Sequence, residues 1–142
     1  MDVDDVRQFV VSGAAAPWDG EEGGRQQRLG VMNACGIARN LLAANIEVVI
    51  ADVLTPETSE LYRRELPECL IVHLVVGLPE ALRRARSRQM WLTDAEFRLL
   101  HEADAANPPY ADHHIQVDTL DLPNQIVAVA RIWGEPRAAT GG

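Results

Sequence analysis

The sequence predicts an α/β fold built on a parallel sheet, and three features carry that expectation. Two short apolar runs, residues 47–52 and 70–76, read as strands buried on both faces. Each is followed by a helix that opens on a proline, Pro56 after the first and Pro79 after the second. A third short strand and a last helix then repeat the alternation, so right-handed crossovers between parallel strands are the simplest arrangement.

The elements follow in order. Val3 and Val6, flanked by acids, read as the end of a strand running into a helix. Residues 12–24 collect small residues, Pro17 and several glycines around Trp18, which predicts a long, irregular and mobile loop. It is either a plain surface connection or a segment that covers a substrate. From Arg25 to about Asn45, Val31, Ala34, Cys35, Ala38, Leu41 and Leu42 recur on one face of a long helix. The strand over residues 47–52 ends in Asp52. Thr55 as cap and Pro56 as first residue then start a helix carrying Tyr62, Arg63 and Arg64.

After the strand over residues 70–76, Pro79 opens a helix reaching Arg88. Thr93 and Glu96 have capping-box spacing, with Leu92 and Phe97 placed as the hydrophobic staple of a helix through His101. Asn107, Pro108 and Pro109 break the chain. Residues 115–117 form a short strand ending at Asp118 and Thr119, and Ile126, Val129, Ala130 and Trp133 line the final helix. One domain over residues 1–133 is expected, with a small, polar and frayed tail over residues 134–142.

Composition narrows the function classes. Thirteen basic residues, all arginine, face twenty-one acids for a net charge of −8, which disfavours nucleic acid and anionic membrane as partners. No apolar run approaches the roughly 20 residues that span a bilayer. Met1 is followed by Asp2, Asp4 and Asp5 instead of a cationic leader, so a cytoplasmic protein is expected. Cys35 and Cys69 are isolated and suggest neither a metal cage nor a disulfide framework.

In open parallel sheets ligands lie beyond the carboxyl ends of the strands, so Asp52, Gly77, Asp118 and Thr119 are expected to converge on one edge. Asp52 reads equally as a carboxylate near magnesium or as the cap of the turn before Pro56. Arg84 and Arg88, one helical turn apart, either grip phosphate oxygens or form a solvated face. Asp4 and Asp5, with Arg7 beyond them, offer a carboxylate to take the proton of an attacking hydroxyl and a guanidinium to orient substrate; equally they complement a helix dipole. His101, His113 and His114 match no compact zinc spacing, and His73 inside a strand reads as a core residue. Trp18 is the tryptophan hardest to explain by packing. The nucleophile elbow, the dinucleotide fingerprint and the glycine-rich phosphate loop ending in Lys-Ser or Lys-Thr are all absent.

The order of these pieces resembles the P-loop small-molecule kinases, the group that includes chloramphenicol phosphotransferase, zeta toxins and gluconate kinase-like enzymes. The resemblance rests on Val3, Asp4 and Asp5 followed by Arg7, on residues 48–52, on residues 72–76 leading into 82–88, and on residues 117–119. It covers most of residues 2–133. It implies a three-layer parallel sheet flanked by helices, from which the first strand, phosphate loop and helix of the family are missing. It also implies ATP-dependent phosphate transfer to a hydroxyl of a small-molecule substrate, with Mg2+. Asp5 becomes the substrate-side acid, with Arg7 and Trp18 contacting substrate. Asp52 becomes the acid near the metal, Arg84 and Arg88 the lid arginines, and Asp118 and Thr119 the turn beside the adenine. The absent loop would supply backbone donors, a helix N-terminus, a lysine and a magnesium ligand. Losing even one preorganised donor costs roughly 10²- to 10³-fold in rate, so little ATP binding or turnover is expected of these residues alone. The absent strand is central in such a sheet, which leaves an open edge for a homodimer. The competing reading is a non-catalytic binding or dimerising protein that kept the scaffold.

Overall fold

A parallel pairing forms at the very first residues. In the computed structural model, which describes residues 1–87 and 92–134, the Met1 amine donates to the Val49 carbonyl at 2.7 Å. Ala51 N–H donates to the Met1 carbonyl at 2.9 Å and Val3 N–H to the Ala51 carbonyl at 3.0 Å, with Asp2 and Ala51 bridged in parallel. Residues 49–51 therefore run parallel to their neighbour, as expected, but neither apolar run is buried on both faces: Val49 is 57% exposed, and Leu74 of the second run is 43% exposed. The first run forms one bridge and not a full strand, because the helix α1 (Val3–Arg7) starts two residues after Met1 and removes the partner. Asp2 caps that helix by accepting from Asp4 N–H at 3.0 Å.

The chain's contacts divide it into two units. The first holds Met1–Cys69 with Asn107–Tyr110; the second holds the described residues of Leu70–Ala106 and Ala111–Gly142. Unit 1 is organised by α2 (Gly20–Ala43), which packs on α1 and on α3 (Pro56–Glu65). Val31, Ala34, Cys35 and Ala38 are buried on its inner face, as their spacing predicts. Leu42, expected on that face, is 50% exposed, so the packed stripe ends a turn earlier. The helix also begins five residues before Arg25, the glycine cluster forming its first turns. Asn45, at φ 58°, ends it, with Ile46 N–H bonded to the Leu41 carbonyl at 3.0 Å. At the head of α3, Thr55 and Thr58 cap each other reciprocally, and Leu61 and Tyr62 are buried one turn on.

Unit 2 contains the sheet. Strands β1 (Val72–Val75) and β2 (His113–Gln116) run parallel in the register Val72↔His113 to Val75↔Gln116. The crossover between them passes through α4 (Leu78–Ala85) and α5 (Asp94–Ala106), and α6 (Leu122–Gly134) follows β2. Ile71, Ala81, Leu82, Ala85 and Val117 form the core. The Thr93 and Glu96 capping box is present, each backbone N–H bonded to the other's side chain. Helix α4 ends at Ala85, and Arg88 lies outside the described residues, as do Trp91 and residues 135–142. The chain is thus mixed α/β, with six helices and a two-stranded parallel sheet among the described residues. No described helix is long and apolar enough to cross a membrane.

Candidate functional site

Asp52 stands at the carboxyl end of the extended segment of unit 1, half-buried. The Tyr62 hydroxyl, on α3, donates to its Oδ2 at 2.9 Å. Burial raises the Asp52 pKa above the usual carboxylate value, and the Tyr62 hydrogen bond opposes that rise. Tyr62 is itself 4% exposed, and burial together with the neighbouring carboxylate pushes its phenol pKa up. Tyr62 was not legible as a site residue, because nothing in its local sequence announces a partner ten positions back. Asp5 lies exposed on α1, its Oδ1 receiving Gln8 Nε2 at 3.5 Å.

Arg7 has a local job. Its Nη2 donates to the Ala15 carbonyl at 3.2 Å, its Nη1 lies 3.6 Å from Asp4 Oδ1, and Gly30 leaves room for its stem, since a Cβ there would be 2.8 Å from Arg7 Cγ. The loop before α2 is tied down at several further points. One buried amide, Gln26, accepts from Ala15 N–H at 2.9 Å and donates to the Gly13 carbonyl at 2.8 Å. Asp19 Oδ2 accepts from Ala16 N–H at 2.8 Å. Gly23 is required beneath it, because a Cβ there would sit 2.0 Å from the Ala16 carbonyl oxygen. The segment expected to be loose is therefore held by side chains from both flanking helices, while Trp18 remains 53% exposed.

In unit 2 the carboxyl ends of both strands meet. Asp118 Oδ1 accepts from Gly77 N–H at 2.7 Å, and Gln116 Nε2 donates to Oδ2. Those bonds hold the Asp118 pKa below the usual value, the Gly77 bond first. A Cβ at Gly77 would meet Asp118 Oδ1 at 2.9 Å, so glycine permits the approach. Arg84 reaches the same turn: its Nη2 donates to the Val117 carbonyl at 2.6 Å and to the Leu120 carbonyl at 3.4 Å, and its Nε to Glu80 Oε1 at 2.6 Å. Glu80 also holds Arg83 in a two-point pair, and its pKa is driven down to about 2 by Arg83 and then Arg84. The spacing of Glu80 to Arg83 and Arg84, three and four along a helix, was a readable signal that these arginines have partners at home. Thr119 is exposed beside this turn.

Arg84 is committed to Glu80 and to two carbonyls, Asp118 to Gly77 and Gln116, and the described residues contain no group of three or more His, Cys, Asp or Glu able to hold a metal ion. The histidines add none: His101 bonds the Val76 carbonyl at 2.9 Å, and His73 packs edge-on to His114 with its Nε2 3.9 Å from Asp104. A groove of about 480 Å³ between α2 and α3 is lined by none of these groups. It is lined by Arg25, Arg28, Leu29, Met32, Glu57 and Arg64 among others, its arginines paired with Glu22, Glu57 and Glu65 in turn. No protein-family model matches the chain, and no curated protein matches it either.

Proposed function

We propose that these residues are the downstream part of a phosphotransferase scaffold of the P-loop small-molecule kinase type. In its complete form that scaffold would transfer the ATP γ-phosphate to a hydroxyl of a small molecule, with Mg2+. The observation that carries the reading is a pair of separate parallel pairings, Met1 to Val3 with Val49 to Ala51 and β1 with β2, each only two segments wide among the described residues and so open at its outer edges. In β1 the carbonyls of Ile71 and Val75 serve β2, which turns the alternate residues Val72 and Leu74 toward the other edge. In unit 1, Val49 and Ala51 serve Met1 and Val3, which leaves Val48 and Ile50 facing the other way. A sheet whose missing strand is central would leave two such edges.

In this proposal Asp52 is the acid on the metal side and Asp5 the acid on the acceptor side. Asp118, Arg84 and Thr119 shape the turn that would border the nucleotide base. Arg84 acts there as a brace of that turn, and Arg7 as a brace of the acceptor-side loop carrying Trp18. The chain alone is expected to transfer little or no phosphate, because no residue present replaces the lysine and backbone donors of a phosphate loop. The test is a phosphotransfer assay with radiolabelled ATP over a panel of hydroxylated small molecules. Background transfer from the chain agrees with the proposal, as does gained transfer once a strand, glycine-rich loop and helix of about 30 residues is placed before Met1. Robust transfer by the chain as it stands would refute it.

A second reading has its own support. The same open edges, with Leu74 43% exposed, suit a non-catalytic protein that pairs with a second copy. Light scattering separates the two: a concentration-independent monomer removes the dimerising form.

A further inference from the structure

Phe9 is 79% exposed, Val11 94% and Trp18 53%, three large apolar side chains on the two stretches that Arg7 holds together. The Arg7 carbonyl accepts from Val10 N–H at 3.1 Å while its guanidinium binds the Ala15 carbonyl, so the turn after α1 and the loop before α2 are fixed to one residue. Gln26, Asp19 and the obligatory Gly23 fix the second stretch further. An apolar group held out to solvent by a braced backbone binds without first losing loop entropy. Exposed aromatics of this kind, tryptophan above all, are the side chains that carry binding energy at protein interfaces.

Charge says what kind of partner fits. Residues 1–25 carry six acids against Arg7 and Arg25, half of the net −8 of the whole chain. Both arginines are occupied, Arg7 beside Asp4 and Arg25 in a two-point pair with Glu22. Asp4, Asp5, Asp19 and Glu21, on the same two stretches of chain or next to them, stand exposed. A second copy of the chain would bring the same acids to the contact and be repelled. Complementary charge selects a basic partner and speeds its encounter.

We propose that the surface of Phe9, Val11 and Trp18, with the acids around it, docks a basic protein segment that presents apolar side chains among its lysines or arginines. This surface needs no nucleotide; it shares Trp18 and the Arg7 brace with the acceptor-side loop of the phosphotransferase reading but does not depend on that reading.

The test uses the full chain and two labelled amphipathic peptides, one of leucine and lysine and one of leucine and glutamate, followed by fluorescence anisotropy. The leucine–lysine peptide is expected to bind and the leucine–glutamate peptide not. The double variant Phe9→Ser with Trp18→Ser, which leaves every charge in place, is expected to weaken binding by about tenfold or more. Ile126→Ser on α6, an equally exposed apolar site, is expected to leave it unchanged. If the double variant loses its helical circular dichroism, Val11→Ser takes its place, with a smaller weakening expected. Equal binding to parent and variants would reduce the effect to diffuse attraction of a cation and overturn the proposal. So would binding of the leucine–glutamate peptide, loss of binding in the Ile126 variant, or self-association of the parent that the double variant abolishes.

Discussion

The two units back their parallel pairings in different proportions of apolar packing and polar fastening. In unit 1 the pairing is backed by apolar packing: Val3 and Val6 of α1, four residues of α2, and Leu61 and Tyr62 of α3 are all buried. In unit 2 neither α5 nor α6 has a buried residue among those described, and polar bonds to backbone do much of the fastening. Ile71 N–H is held by Asp112 Oδ2 at 2.8 Å, Gly77 N–H by Asp118, the Val117 carbonyl by Arg84 and the Val76 carbonyl by His101. Apolar packing has no charge to titrate or to screen, whereas fastening by carboxylates and a guanidinium is sensitive to pH and to ionic screening.

The largest effect should come from the loop brace of unit 1. Gly23→Ala places a methyl group against the Ala16 carbonyl, which is held by Asp19 N–H at 2.9 Å, and should cost about 3 kcal/mol in a thermal melt. Next is Tyr62→Phe, which leaves the half-buried Asp52 without its hydroxyl donor and should cost about 2 kcal/mol near neutral pH. The sign with pH follows from the raised Asp52 pKa, which would rise further without Tyr62. The penalty is full where Asp52 is ionised and shrinks as pH falls through the raised value. A penalty that grew on acidification would break the account of Asp52.

Acid should separate the units. Asp118, Glu80 and Glu96 of unit 2 all have lowered pKa values; their contribution is complete above the ordinary carboxylate range and is lost as pH falls through the lowered values. Unit 1 has Glu22 on that side but Asp52 on the other, since protonating Asp52 relieves its burial. Residue-resolved NMR on acidification should therefore show unit 2 losing native resonances before unit 1. The smallest effect is expected at the outer face of α6, where Ile126→Ser, at a site 60% exposed, should change stability by no more than about 0.5 kcal/mol. A loss of several times that would mean this face is covered after all.

Much of the fold could be read from local chemistry. The capping pairs at Thr55 and Thr93, the prolines opening α3 and α4, and the apolar stripe of α2 are all short-range signals, and all correspond to observed features. The parallel direction of β1 and β2 was legible too, because apolar strands joined by helical crossovers have few alternatives. What was not legible depends on contacts distant in sequence. The glycines around Gly20 looked like loop, and only the Ala16 carbonyl above Gly23 shows why a helix starts there. Arg7 looked like a ligand-binding group until its partner, Ala15, came within reach. Asp52 and Asp118 stand at the carboxyl ends of extended segments, as expected, but in different units, each bonded within its own.

The proposed function rests on these residues binding nucleotide only when a phosphate loop is supplied to them. Titration calorimetry of MgATP tests it most directly, run on the chain itself and on a fusion that places a strand, a glycine-rich loop ending in Lys-Ser or Lys-Thr, and a helix before Met1. The account predicts no measurable binding by the chain and saturable binding by the fusion. Tight MgATP binding by the chain alone, or a folded fusion that binds none, would contradict it.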